Sequence, residues 1–272
     1  MPRIPILNQR EADGARQAAV KVVSTHERLA EFVRAGQTLA EIDAFVAATL
    51  SDLKCRSCFL GYRIPRTPPF PSHACLSVND CVVHGTAGYT TVPLRPGDLI
   101  SIDIGVWFQG WVGDAAWSYA IEERSDEAAS LMDAGERSIA AGVQELRPGA
   151  PLMNWARVVQ RVVEEECGFH LTRGLGGHGY GRSLHGPPFV SNLPLSPLEW
   201  PDGRTTCEPG MLVAVEPMLA TGTGRTRSND REWPVFTHDG SLSVHYEHDV
   251  LIGADGPEVL TSKLHELPAV VG

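Results

Sequence analysis

The chain has 272 residues, of which 43% are hydrophobic, enough to bury a substantial core in one large domain or two smaller ones. Its 23 lysines and arginines against 33 aspartates and glutamates give a formal net charge of −10, which argues against nucleic-acid binding because such surfaces neutralise phosphates with basic side chains. No run approaches the roughly 18 apolar residues of a membrane span, and the beginning, MPRIPILNQR, lacks the apolar core of a signal peptide, so we expect a cytoplasmic protein that binds no membrane.

Two helices are predicted between about residues 8 and 53, where apolar side chains recur at the spacing of a buried helix face. Gly36 lies at the break between them, and Thr38 with Glu41 matches the capping box that begins a helix. The next segment, 61–73, contains four prolines in GYRIPRTPPFPSH and is predicted to be a loop.

The six cysteines are too few for a disulfide scaffold in a chain of this length, and a cytoplasmic setting would keep them reduced. Cys55 and Cys58 have the spacing of a zinc or redox pair, but no second pair and no neighbouring histidines complete such a site. We therefore expect both to be structural.

Strand-like patterns follow at 74–84 and 98–121, and the second contains two aspartates in an otherwise apolar stretch. The alternation puts isoleucines on one face and Asp103 on the other, and it resumes after a turn at Gln109 with Asp114 on the polar face. Because we place the two acids at equal distances from the turn, we expect them to lie nearly opposite each other. Like charges in that position destabilise a strand pair, so either a cation lies between them or one carboxyl is protonated. The alternative is a solvated hairpin, since aspartates are mostly exposed.

Helices are predicted near 126–145 and at 151–167, followed by a strand-rich section, 171–261, that the proline-rich segment 186–201 interrupts. Helices then strands, and again helices then strands, indicate an α+β fold class built from a duplicated unit. No linker is evident, so residues 1–272 are expected to form a single domain with a short N-terminal helical lead-in.

Acidic residues also interrupt apolar runs in the second half. Glu216 ends the run in GMLVAVEPM just before Pro217, which terminates strand pairing. In SLSVHYEHDVLI, Glu247 is predicted to lie on the strand face that Glu216 could share. The other side chains on that face are Ser243, His245 and Asp249.

Three histidines stand beside apolar or glycine-rich runs. His84 closes the run CVVH, and His178 and His185 flank the turn in GLGGHGYGRSLHGPP. A lone histidine in such a place is more often a core or surface group than a ligand. GLGGHG also matches the glycine pattern of a dinucleotide-binding loop, but the residues after it cannot open a helix and no acid follows at the ribose position. The glycines are therefore expected to let the backbone approach a site closely.

Two aspartates, two glutamates and one histidine together form a carboxylate-dominated donor set with a single nitrogen. Such a set is too hard for a structural zinc site and suits a pair of divalent ions such as Mn, Fe(II) or Co. Two such ions can share carboxylates and activate a water molecule for hydrolysis. A metal pair would also explain why Asp103 and Asp114 are placed together.

The chain resembles the type I methionine aminopeptidases of the pita-bread, or creatinase/aminopeptidase, superfamily. The similarity runs through nearly the whole length, in EADGARQAAVKVV, GQTLAEIDAF, VNDCVVHG, GDLISIDIGVWFQGWVGDAAW, GHGYGRSLHGPP, VEPM and DGSLSVHYEHDVLI. The spacings fit the bacterial enzymes: they are 11 residues from Asp103 to Asp114, 7 from His178 to His185, and 31 from Glu216 to Glu247. The chain has no room for the large N-terminal domain of prolidase-like members, and it lacks the helical insertion of type II enzymes.

The resemblance implies a pita-bread fold, a pseudo-two-fold duplicated antiparallel β-sheet with helices on the outer face. It implies a monomeric enzyme that uses two divalent ions (Mn, Co or Fe) to hydrolyse the first peptide bond and release methionine from the N-terminus of a peptide or nascent protein. The implied metal ligands are Asp103, Asp114, His178, Glu216 and Glu247, with Asp114 and Glu247 bridging the ions.

Roles in catalysis and substrate binding are implied in the same way. Glu216 corresponds to the proton shuttle, and His84 and His185 to donors of hydrogen bonds to the substrate. The implied substrate-binding residues are Tyr62, Cys75, His84, Leu184, His185 and Trp233. Asn79 and Ser243 match a peripheral site for a monovalent cation.

The chain also departs from the family pattern. Leu184 stands where an aromatic residue is usual, His245 where a glutamine is usual, and Ala115 where a hydroxyl residue is common. The proline-rich loop 64–71 is longer than in the common bacterial form and enters the pocket region. These departures bear on the substrate and leave two alternatives. One is an aminopeptidase for another N-terminal residue or a pathway-specific small peptide; the other is a non-catalytic peptide-binding protein, which would typically lose ligands that are all present here.

Overall fold

The structure is a computed structural model that describes residues 4–272. None of the helices in this described range has the length and the apolar character that a membrane span requires. A π-helical turn, Arg161–Glu166, continues the last α-helix, and short 3₁₀ helices occur at Pro201–Arg204 and Ser262–Glu266. The α-helices are α1 (Gln9–Phe32), α2 (Leu39–Asp52), α3 (Asp126–Val143) and α4 (Met153–Gln160).

The strands alternate with these helices as the sequence predicts. In the first half they are β1 (Arg56–Ser57), β2 (Cys75–Val78), β3 (Cys81–Val83), β4 (Leu99–Phe108) and β5 (Trp111–Ile121). In the second half they are β6 (His170–Leu171), β7 (Gly176–Gly179), β8 (Gly186–Ser191), β9 (Leu212–Val215), β10 (Met218–Ala220), β11 (Thr226–Ser228), β12 (Val235–Thr237), β13 (Ser243–His245), β14 (His248–Ile252), β15 (Pro257–Val259) and β16 (Val270–Val271).

The chain builds two five-stranded sheets, one from strands of the first half completed by the C-terminal β16, and one from strands of the second half alone. The first has the order β1-β4-β5-β16, with β2 also paired to β4, and the second has the order β15-β14-β9-β7-β8. Two three-stranded sheets, β13-β10-β6 and β11-β12-β3, lie beside them. The pairing is antiparallel, as expected, and only the two-residue β16 at one edge pairs in parallel, with β5.

The two N-terminal helices pack on the first sheet and form part of its core. Thr38 and Glu41 make the predicted capping box, and Asn8 with Glu11 makes a second one at the start of α1. The α1 helix is 24 residues long, so it is more than the short lead-in expected. Its backbone contacts β5 directly, because a Cβ atom on Gly113 would lie 2.7 Å from the carbonyl carbon of Ala18.

The proline-rich segment 186–201 differs from the prediction. It was expected to interrupt the strands, but its first residues form β8. The strand survives its two prolines because it lies at the edge of the sheet, where one side of the backbone needs no partner.

Candidate metal centre and active site

The β4–β5 hairpin carries Asp103 and Asp114 on one face, as predicted, but not directly opposite each other. Asp103 faces Ala116 and Asp114 faces Gly105, so the two acids are diagonal neighbours. The turn itself is the predicted one, at Gln109 and Gly110, which both have positive φ, 50° and 86°. The acids are not at equal distances from it, because Asp103 lies six residues before Gln109 and Asp114 lies four residues after Gly110.

Glu216 and Glu247 lie where two paired strands are interrupted at the same level. Val215 pairs with His248 on one side of the interruption, and Met218 pairs with His245 on the other. Glu216 and Glu247 therefore face each other across the gap. The backbone N–H of Glu247 instead donates to the carbonyl of Ala116 on β5, at 2.8 Å, which ties this gap to the hairpin that carries the aspartates.

His178 reaches the same place from β7. A Cβ on Gly177 would overlap the carbonyl oxygen of Ala214, and one on Gly179 would overlap that of Pro187. The glycines thus permit the close backbone approach that the sequence predicts. They lie in a strand and do not begin a helix, so they do not form a dinucleotide-binding loop.

All five predicted ligands come together. His178 Nε2 lies 3.8 Å from Asp114 Oδ2 and 3.8 Å from Glu216 Oε1. Donor atoms of Asp114, His178 and Glu247 all lie within 4.8 Å of one another, which is compact enough for one ion. Asp103 interacts electrostatically with both Asp114 and Glu216.

The cluster is electrostatically unfavourable without a cation. Burial raises the pKa of Asp103 to about 7, and burial together with neighbouring acids raises the pKa values of Asp114 and Glu247 well above the ordinary carboxyl range. Asp103 Oδ1 and Asp114 Oδ1 are buried and accept no hydrogen bond from the described residues. Buried, crowded oxygen atoms that accept no hydrogen bond are well suited to bind a divalent metal ion. The residues present therefore fit such an ion and would hold it.

His84 and His185 border the cluster and are not part of it. His84 follows β3 with a φ of 58°, a left-handed conformation that turns its side chain into the cavity above the acids. The His185 ring lies 4.3 Å from the His178 ring, centre to centre. Burial lowers the pKa of His84 to about 4 and the pKa of His185 below its ordinary value, so both imidazoles are neutral at neutral pH.

A cavity of about 740 Å³ opens above the acids, and the predicted substrate-binding residues line it. Its wall is aromatic: the Trp233 ring meets Phe70 edge-to-face at 5.2 Å and His84 at 6.2 Å. The indole N–H of Trp233 donates to the carbonyl of Pro68 at 2.9 Å, which joins a loop of the second half to the proline-rich loop of the first. The lining includes Tyr62, Cys75, His84, Leu184, His185 and Trp233, together with Phe59 and Phe70, which sequence reasoning did not select.

The two residues matched to a monovalent-cation site are neighbours. The Ser243 hydroxyl donates to the carbonyl of Asn79 at 2.8 Å. The Asn79 side chain is used elsewhere, since its amide donates to Asp98 and its oxygen accepts from the N–H of Leu99. A cation there would depend on the carbonyl of Asn79 and not on its amide, and the site remains a prediction.

His245, one of the departures from the family pattern, lies inside the cluster. Its Nε2 is 3.3 Å from Glu216 Oε2, and burial lowers its pKa to about 4. A second imidazole is therefore within reach of the acids, beside the Glu216 oxygen that His178 does not approach.

Asp249 is a residue of the site that sequence reasoning did not assign. It is fully buried, its Oδ2 accepts the backbone N–H of Asp114 at 3.0 Å, and burial raises its pKa to about 8. The strand alternation had already put Asp249 on the same face as Glu247. That signal could have identified it as a support beneath Asp114.

Comparisons with known proteins agree with this geometry. The model of Metallopeptidase family M24 matches residues 13–254. Over 252 residues the chain is 34% identical to methionine aminopeptidase 1 of Bacillus subtilis, covering 93% of this chain and 96% of that protein. It is also 34% identical to methionine aminopeptidase 1 of Mycobacterium tuberculosis over 264 residues, which cover 95% of each.

Solved structures extend the likeness to the fold. The methionine aminopeptidase from Rickettsia prowazekii superposes with a TM-score of 0.88 at 27% identity, covering 95% of this chain and 100% of that one. Prolidase from Pyrococcus furiosus gives a TM-score of 0.72 at 16% identity, covering 94% of this chain and 65% of the other, a likeness of fold alone. The expected α+β pita-bread fold is confirmed.

Proposed function

The chain belongs to metallopeptidase family M24, and from that premise we propose that it is an aminopeptidase that removes methionine from the N-terminus of peptides or nascent proteins. The observation that carries the proposal is the convergence of two buried and two partly buried carboxyl groups with one buried imidazole at the base of an otherwise apolar and aromatic cavity. Relatives over nearly the whole chain bear the name methionine aminopeptidase, which supports the choice of substrate.

The metal centre would be held by the acids and imidazole already described. Two divalent ions would be bound by Asp103, Asp114, His178, Glu216 and Glu247; Mn, Co and Fe suit these donors. When bound, such ions polarise a carbonyl group and lower the pKa of water.

The protein's own side chains would supply proton transfer and charge stabilisation. Glu216 is buried between two imidazoles, and burial raises its pKa well above the ordinary range, which suits a carboxyl that takes up a proton and gives it to the leaving amine. His84 and His185 are neutral, so each offers an N–H to the negative charge that develops on the scissile carbonyl oxygen.

The cavity would select the N-terminal side chain and its free amine. A flexible thioether packs well against aromatic rings, and Phe70 and Trp233 supply such rings on the wall. The carboxylates at the base, Asp103 among them, would attract the amine. Both features favour an exopeptidase that accepts an unbranched apolar residue.

A second candidate, an aminopeptidase for another N-terminal residue, is favoured by one observation. His245 lies 3.3 Å from Glu216, where the resemblance leads one to expect a neutral amide, and a second imidazole changes the polarity beside the acids. The non-catalytic alternative gains no support, because the donor set for the ions is complete.

The test combines metal content with peptide cleavage. Chelated protein should be inactive towards Met-Ala peptides, and Mn²⁺ or Co²⁺ should restore release of free methionine, with up to two ions per chain measured by plasma mass spectrometry. Peptides beginning with Leu or Ala, and an acetylated Met peptide that lacks the free amine, serve as controls. Full activity after exhaustive chelation, or rapid cleavage of the acetylated peptide, would exclude the proposed function.

A further inference from the structure

The side chain of His185 has a defined partner in the proline-rich loop. The hydroxyl of Tyr62 lies 2.7 Å from His185 Nδ1, and the two rings meet edge-to-face with their centres 5.2 Å apart. Both residues line the cavity above the acids. The hydrogen bond therefore acts on an imidazole that faces the substrate.

The chemistry of the two groups decides which one donates. A neutral imidazole nitrogen is a much stronger base than a phenol oxygen, so the favoured arrangement has the phenol O–H donating to the nitrogen lone pair. The phenol keeps its proton at neutral pH, because burial raises the pKa of Tyr62 above its ordinary value of about 10. A neutral imidazole carries one N–H, and with Nδ1 accepting from Tyr62, that proton is on Nε2.

Tyr62 is itself held firmly by the loop. The N–H of Gly61 donates to the carbonyl of Phe70 and the N–H of Phe70 donates to the carbonyl of Tyr62, both at 2.8 Å, which closes the base of the loop. Nearer the tip, the indole of Trp233 donates to the carbonyl of Pro68 at 2.9 Å. The Trp233 ring also lies 6.4 Å from the Tyr62 ring, so the phenol is supported from the loop and from the opposite half of the molecule.

We propose that Tyr62 is a positioning residue that holds His185 as the tautomer with its proton on Nε2, so that the imidazole presents an N–H donor to the substrate. The inference rests on the proposed function for its catalytic consequence, but not for the tautomer itself. It also gives the long proline-rich loop a role, because the loop fixes the position of the phenol.

The tautomer can be observed directly. In full-length, zinc-loaded protein with ¹⁵N-labelled histidine, long-range ¹H–¹⁵N spectra distinguish protonated Nδ1 from protonated Nε2, and His185→Asn assigns the signals. Wild type should show His185 protonated on Nε2 only, and Tyr62→Phe should make the Nδ1-protonated form visible. A wild-type His185 protonated on Nδ1, or a tautomer that does not change in Tyr62→Phe, would overturn the proposal.

The kinetic consequence has a matched control in the same chain. Tyr119 makes a similar phenol–imidazole contact with His26 Nδ1 at 3.0 Å, away from the cavity. On Met-Ala peptides, Tyr62→Phe should lower kcat by about tenfold with KM within about twofold, since the ring that lines the pocket is kept and only one hydrogen bond is lost. Tyr119→Phe should leave kcat within about twofold. An unchanged kcat in Tyr62→Phe contradicts the positioning role.

Failure of this inference can be separated from failure of the proposed function. If wild type cleaves no peptide but its His185 tautomer responds to Tyr62→Phe, the aminopeptidase assignment fails and the positioning of His185 stands. If wild type releases methionine and the tautomer is indifferent to Tyr62, the positioning fails and the function stands.

Discussion

Asp114 and Glu247 are the acids on which metal binding should depend most. They are 3% and 2% exposed, and both lie in the compact donor group with His178. We expect Asp114→Asn and Glu247→Gln to lose bound metal and activity together. His185→Asn should keep its metal and lower kcat by a factor on the order of 10², the loss of one hydrogen bond to a developing charge. Metal content per chain and kcat measured on the same samples check this; equal metal loss in all three variants would refute the division of roles.

Leu184 is the pocket residue most open to a specificity test. It is 6% exposed and packs in the apolar cluster that includes Phe59 and Phe70. Leu184→Phe should fill part of the cavity and raise the ratio of kcat/KM for Met- over Leu-initiated peptides by about tenfold, since one methylene of fit changes selectivity by roughly 1 to 3 kcal/mol. If wild type is already strongly selective for Met and the substitution leaves the ratio unchanged, Leu184 has no part in selectivity.

Alternation in the sequence was sufficient to assign faces to single residues. It placed Asp103 and Asp114 on the polar face of apolar strands, where the structure has them, whereas Glu247, predicted to lie within a strand, falls in the gap between β13 and β14. It could not predict that Asp114 is held by Asp249, or that Tyr62 meets His185, because these contacts join residues 135 and 123 positions apart. Such contacts depend on how the sheets pack, which local pattern does not encode.

At the scale of elements, the contact between α1 and β5 supports the metal centre from behind. A Cβ on Gly113 would lie 2.7 Å from the carbonyl carbon of Ala18 and 2.9 Å from the nitrogen of Ala19, so the helix backbone would have to move. Gly113→Ala should lower the free energy of unfolding by about 2 kcal/mol through overpacking, and it should weaken metal binding because Asp114 is the next residue.

Gly88 offers a matched control for that prediction. A Cβ placed there meets nothing within 4 Å, so Gly88→Ala should change the free energy of unfolding by less than about 1 kcal/mol. Urea titration of both variants, with metal affinity measured by calorimetry, provides the comparison. Equal stability of the two variants would show that α1 can shift on β5 without cost.

Helix boundaries were more predictable from sequence than strand pairing. The capping box at Thr38 and Glu41 is a local hydrogen-bond pattern, and it begins α2 as expected. The strand β8 was not foreseen, because its prolines are compatible with a strand only at a sheet edge. The β4–β5 turn was predicted at the right residues, but the acids were wrongly placed opposite each other, since a two-residue turn at Gln109 and Gly110 pairs Asp103 with Ala116 and Asp114 with Gly105.

At the scale of the whole molecule, the stability of the fold should depend on pH through His26. This residue is fully buried between α1 and β5, and burial lowers its pKa to about 4 from the ordinary 6.5. Between these two values the unfolded chain binds a proton that the folded protein does not bind. The contribution of neutral His26 to the stability of the fold is therefore fully present above pH 6.5, and the free energy of unfolding decreases as the pH is lowered to 4.

The size of this effect can be measured by substitution. His26→Gln should reduce the loss of unfolding free energy between pH 6.5 and pH 4 by roughly 3 kcal/mol, the equivalent of the pKa difference. His170→Gln, at an exposed position, should follow wild type. Urea unfolding at several pH values in the presence of chelator provides the data, and parallel pH profiles for wild type and His26→Gln would contradict the assignment.

The position of Trp233 on the wall of the cavity has a practical consequence. Of the six tryptophans in the chain, Trp111, Trp117, Trp155 and Trp200 are buried. Trp107 is partly exposed but does not line the cavity, whereas Trp233 is partly exposed on the cavity wall. In a Trp107→Phe variant, the fluorescence of the remaining partly exposed indole should therefore report on the cavity itself. A peptide or inhibitor that displaces water from the indole would shift its emission to shorter wavelength, while Co²⁺ at the acids below would quench it. Occupancy could thus be followed optically in unlabelled protein, on the timescale of a single turnover.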